Sequence, residues 1–111
     1  MRDDTERLRD ILESLESIQK YASKGMEAFF DDELIQVWIV HHIQVIGEAA
    51  SHVSATTREK YSQVPWPDII AMRNILVHQY FGVDLQEIWE TVIVDIPVLK
   101  RQIESILGEM D

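Results

Sequence analysis

This chain contains no cysteine, few glycines and prolines, and only half as many basic residues as acidic ones. Without cysteine there can be neither a disulfide framework nor a thiolate metal site, and the chain is compatible with a reducing cytoplasm. Ten lysines and arginines against twenty aspartates and glutamates leave a formal net charge of −10. That is the opposite of the broad positive field on which most nucleic-acid binders rely, so any such contact must be local. Long apolar runs are also missing. The strongest, LIQVWIVHHIQVIGEAA from Leu34, is broken by two histidines, two glutamines and a glutamate, which argues against a membrane span. No signal peptide is visible, and the chain reads as soluble and cytoplasmic. There is no low-complexity tract, no internal repeat and no β-type alternation that outlasts a helical period. At 111 residues the length suits one domain, expected over 1–111.

What is present is helical: an all-α, up-and-down bundle of four main helices plus a short helical turn. The first helix is expected from about Asp3 or Asp4 to about Ser23, with Leu8, Ile11, Leu12, Leu15, Ile18 and Ala22 as its apolar stripe and Lys24-Gly25 as its stop. MEAFF reads as a connector. The second helix starts with Asp31 as N-cap, carries Asp32 and Glu33 in its first turn, and reaches about Val53. Its apolar residues, from Leu34 and Trp38 through Ile46 to Val53, cover more than one stripe, which predicts burial on two sides: one in the core, the other against a partner. A polar stretch follows, with a helical turn at TTREKY. VPWPD then opens the third helix, through DIIAMRNILVHQY to a stop at Gly82, its prolines being tolerated only in a first turn. Asp84 and Glu87 form a D-x-x-E capping pair for the fourth helix, which Pro97 should kink.

The third helix carries a puzzle. In RNILVHQY, Arg73 and His78 are five positions apart, about 140° around a regular helix, whereas Asn74 and His78 share a face, as do Arg73 and Tyr80. One helix stripe cannot present both Arg73 and His78. Either one of them is an ordinary surface group, or their site is assembled from a bent helix end, a neighbouring helix or a second chain. His41, Glu48 and His52 lie near one face of the second helix but span about 16 Å along it, too far to share one ion, so they are read as polar gaps and no metal site is assigned. Glu48 needs a partner there, and Arg73 is the candidate. Trp38, Trp66 and Trp89 read as core or interface packing.

The R-x4-H-x-Y pattern at Arg73, His78 and Tyr80, the adjacent Asn74, the downstream FGVD, and upstream RLRDILE, IGEAA and PWPDIIAMRN together resemble the HepT-like branch of the HEPN superfamily, in order and over nearly the whole chain. The resemblance implies a toxin of a type VII toxin–antitoxin module: a metal-independent endoribonuclease, without a cofactor, working as a homodimer in which two R-x4-H motifs face each other across a cleft. It implies a minimal nucleotidyltransferase antitoxin as partner, which transfers AMP to Tyr80 and so blocks RNA by charge and bulk. Within it, Arg73 would hold the scissile phosphate, and His78 would transfer protons. Asn74 would orient that imidazole or hold substrate, and Glu48 would fix the guanidinium. The acidic balance of the chain favours an alternative, a non-catalytic helical domain that docks the transferase or binds a nucleotide.

Overall fold

The computed structural model describes residues 3–78 and 84–110, the side chains of 74–78 excepted. All regular structure among them is helical: α1 (Asp4–Ala22), α2 (Met26–Asp31), α3 (Glu33–Ser51), α4 (Ala55–Lys60), α5 (Trp66–His78), α6 (Leu85–Glu90), a π-helical turn (Thr91–Asp95) and α7 (Ile96–Met110). The expected all-α bundle is present, with α1, α3, α5 and the continuous α6–α7 rod as its four main members. The short helix read at TTREKY is α4. MEAFF, read as a connector, is itself a helix, because Phe29 goes fully into the core and α2 positions it there.

Local chemistry sets the boundaries. Asp3 caps α1 by accepting a hydrogen bond from the Glu6 N–H at 2.9 Å. The chain turns out of α1 through Gly25 at φ +100°, a conformation that side-chain-bearing residues rarely adopt. The N-cap of α3 is Asp32 and not Asp31: its carboxylate accepts from the Leu34 N–H at 2.9 Å. That helix ends two residues before Val53, which stays buried in the turn beyond it. At α5 the Ile69 N–H donates to the Pro65 carbonyl, so Pro67 falls in the first turn, where its missing N–H costs nothing. Asp84 caps α6, accepting from the Gln86 and Glu87 N–H groups at 3.0 and 3.3 Å. Pro97 acts through the turn before it. Its ring would crowd the Ile93 carbonyl, and the backbone widens there into π geometry, with the Ile96 N–H reaching back to Thr91.

The core lies between α1, α3 and α7. Leu8, Ile11, Leu15 and Ile18 of α1 meet Ile39, Ile43 and Ile46 of α3 and Ile96, Ile103 and Ile106 of the last rod. Phe29 stacks at 5.2 Å on Trp89, and Trp66 is buried with its Nε1–H on the Tyr61 carbonyl. Asp4 fastens the start of α1 to the start of α4: it accepts from the Ser54 N–H and from the Ser54 and Thr57 hydroxyls. Burial works to raise its carboxyl, but these bonds and Arg58 outweigh it and hold the pKa below the ordinary value. No described helix is long and apolar enough to cross a membrane.

Candidate active site

α5 packs chiefly against α3, and one residue sets how closely. A Cβ on Gly47 would stand 2.9 Å from the Arg73 Cβ, 3.0 Å from the Ile69 carbonyl oxygen and 3.2 Å from the Arg73 nitrogen. Only glycine lets the two backbones approach this far. The residue after it, Glu48, is thereby brought within reach of the Arg73 guanidinium.

There Arg73 Nη1 donates to Glu48 Oε2 at 2.7 Å and to Ser51 Oγ at 2.9 Å. Ser51 in turn donates to the Glu48 carbonyl at 2.6 Å, and His52 Nε2 lies 3.0 Å from Glu48 Oε1. Among the described residues, both contacts to Arg73 fall on one terminal nitrogen of the guanidinium, leaving Nε and Nη2 for an incoming anion. The Glu48 pKa is lowered, first by the His52 hydrogen bond; desolvation opposes this, and the Arg73 charge and hydrogen bond add to the lowering. The carboxylate therefore stays ionised at neutral pH.

The expected pairing of Glu48 with Arg73 is present, but for a different reason from apolar surroundings. Glu48 is 61% exposed and Arg73 about one-third exposed, so the group faces outward at the α3–α5 junction. Ser51 and His52 were not read from the sequence as members of this group, although both lie within one helical turn of Glu48. The other expected site residues fall elsewhere. The helix carrying His78 and Asn74 is regular, but their side chains lie outside the described residues, as do Tyr80 and the Gly82 stop. His41 has no part in the group; it borders a groove of about 510 Å³ with Tyr21, Leu34, Val37 and Trp38.

That groove belongs to a longer feature. The solvent-facing residues of α3 recur every seven positions as Leu34, His41 and Glu48, with Trp38 and the half-buried Val45 between them and His52 just past the helix end. This seam is apolar at its Leu34 end and polar at the Arg73 end, and Leu34, Val37 and Trp38 are 80%, 47% and 38% exposed. Ala71 of α5 is exposed as well. Trp66 and Trp89 are buried as expected, whereas Trp38 lies at this surface with its Nε1–H on the Ser17 carbonyl.

Residues 11–106 match the family model described as "Ribonuclease HepT-like". A Methanocaldococcus jannaschii protein, whose name couples a gamma-glutamylcyclotransferase with a provisionally named RNase, is 43% identical over 94% of this chain, and the chain spans about half (47%) of its length. A Caldanaerobacter subterraneus protein, also provisionally named an RNase, is 39% identical, the match covering 90% of each chain. A Thermococcus cleftensis protein named "Probable ribonuclease HepT" is 34% identical over 89% of this chain and 91% of its own. No solved structure gives a match.

Proposed function

Because this chain belongs to the HepT-like ribonuclease family, we propose that it is a metal-independent endoribonuclease toxin whose cleft forms between two copies of the chain. The observation that carries this reading is Arg73, held at an outward-facing helix junction by Glu48 and Ser51 through Nη1 alone, with Nε and Nη2 not engaged among the described residues. A fixed guanidinium is suited to a phosphodiester, whose charge rises in the transition state.

The reaction then needs two proton transfers. The RNA 2′-oxygen loses its proton to a base and bonds to phosphorus, while the bond from phosphorus to the 5′-oxygen breaks and that oxygen takes a proton from an acid. A 2′,3′-cyclic phosphate and a 5′-hydroxyl result. His78 from each chain serves as base and acid, since imidazole exchanges protons near neutral pH. Asn74, sharing its helix face, orients the ring or the substrate. α5 is regular as far as His78, which keeps His78 about 140° from Arg73 within one chain; two-fold symmetry offers the way to combine them. The Leu34 end of the heptad seam along α3 supplies apolar surface for that contact, with the exposed Ala71 of α5 beside it in the described part of that helix.

Regulation follows from Tyr80, two residues past His78. AMP transferred to its hydroxyl by a nucleotidyltransferase antitoxin places a phosphate beside the cleft, where it repels and obstructs RNA. The test is cleavage of RNA in EDTA by protein whose intact mass shows no nucleotide on Tyr80. Wild type should cut, and Arg73→Ala and His78→Ala should not while remaining folded. Equal cleavage by His78→Ala would sink the mechanism. Absence of cleavage by unmodified wild type would favour the docking-domain alternative, toward which the net charge of −10 leans.

A further inference from the structure

Resting on the ribonuclease reading, we infer that His52 is a positioning residue for RNA cleavage: its imidazole secures the Glu48 carboxylate that holds Arg73. Glu48 stands on the outside of α3, where a carboxylate with a single partner would exchange rotamers in water and hold little. Here each oxygen has its own partner, Oε2 taking Arg73 and Oε1 taking His52. An ionised carboxylate only accepts hydrogen bonds, so His52 carries its proton on Nε2.

His52 is itself well placed. It is the C-cap of α3, its backbone N–H turned onto the Ala49 and Ala50 carbonyls, and it lies four residues after Glu48, one turn along the same face. The effect on Arg73 is electrostatic as well as steric. Glu48 alone would cancel much of the guanidinium charge that a phosphate needs. A donor on Oε1 draws carboxylate charge to the side away from Arg73 and leaves Oε2 as a tether. The order of side-chain contacts is thus His52, Glu48, Arg73, and then the phosphate of the substrate.

The test uses the full chain and a labelled random-sequence single-stranded RNA under steady-state conditions. His52→Ala should lower kcat/KM about three- to five-fold, the range open to an exposed but networked pair, with the loss falling on kcat more than on KM because the phosphate charge grows in the transition state. His52→Gln, whose amide can donate to the same oxygen, should recover most of it. In a Glu48→Gln background, His52→Ala should add nothing. Rotation of the Arg73 guanidinium, followed by nitrogen NMR, should quicken in His52→Ala at an unchanged unfolding temperature. Additive losses, or a His52→Ala variant as active as a wild type that cuts, overturn this inference alone. A wild type that cuts no RNA overturns the ribonuclease reading and takes this inference with it.

Discussion

Replacing Gly47 with alanine should separate α3 from α5 and disturb Arg73 without touching any polar group. The added methyl would meet the Arg73 Cβ at 2.9 Å and backbone atoms of Ile69 and Arg73 at 3.0 and 3.2 Å. None of these is the far end of a flexible side chain, so the helices must part by several tenths of an ångström. Such overpacking costs about 1–3 kcal/mol, while exchanging glycine for alanine inside a helix returns up to about 1 kcal/mol. The net is a loss of about 1 kcal/mol, or ~4 °C for a chain of 111 residues. Gly108 supplies the control. It is also helical, nothing lies within 4 Å of its added Cβ, and near a helix end its alanine variant should gain about 0.5 kcal/mol. Thermal unfolding should therefore move in opposite directions for the two variants. RNA cleavage well below the midpoint should fall for Gly47→Ala only, since Arg73 shifts against Glu48. A Gly47→Ala protein as stable and as active as Gly108→Ala would refute the close-approach argument.

Other outcomes follow from the same geometry. Glu48→Gln keeps the shape but removes the charge that tethers Arg73; cleavage should drop several-fold with little change in unfolding temperature. Asp4→Asn should cost about 1–2 kcal/mol at neutral pH, a partly exposed version of a hydrogen bond to a charged group. Because the folded pKa of Asp4 is lowered, its contribution is present above the unfolded value near 3.9 and is lost as pH falls through the folded one, so wild type and variant should converge in acid melts. His42, 3.1 Å from Ser14, is pushed down first by burial and then by His41, against Glu13. Its contribution is present above the unfolded value near 6.5 and is lost as pH falls through the folded one, so wild type should lose stability in mild acid and His42→Gln should lose less. Ala71→Glu, a charge on the exposed face of α5, should weaken self-association at least ten-fold in sedimentation experiments without unfolding the chain.

The fold was legible where periodicity and caps agreed. The α1 stripe, the Asp84 cap and Pro67 in the first turn of α5 each rest on local chemistry, and each is where the pattern put it. MEAFF misled because five residues cannot display a helical period, and because Phe29 owes its conformation to a core the local sequence does not reveal. The surplus apolar residues of α3 were visible, but their division was not. Ile39 and Ile43 are buried while Val37 and Trp38 are exposed, and only the position of α1 decides between them. For the candidate site, the family resemblance singled out Arg73, and the need of a carboxylate for a partner on a largely apolar helix singled out Glu48. Gly47 and Ser51 were given no role and His52 was read only as a polar gap, because their roles depend on how near α5 lies to α3, a tertiary distance. The G-E-x-x-S-H spacing was the available signal: a glycine for close approach, followed by three polar residues within one turn.

The strongest demand on the proposed mechanism comes from the angle between Arg73 and His78. If one cleft uses both copies of His78, as base and acid, then a dimer with a single histidine cannot complete the two proton transfers. Mixing equal amounts of wild type and His78→Ala and allowing subunits to exchange should leave about one dimer in four with both histidines, and activity should settle near a quarter of the wild-type value. Two independent sites, each needing one histidine, would instead retain about half. The assay is initial cleavage rate against mixing ratio, with exchange followed by native mass spectrometry. A quadratic fall with the wild-type fraction is the expected curve. A straight line would remove the shared cleft, and Arg73 and His78 would then have to meet through a departure from helical geometry at the end of α5.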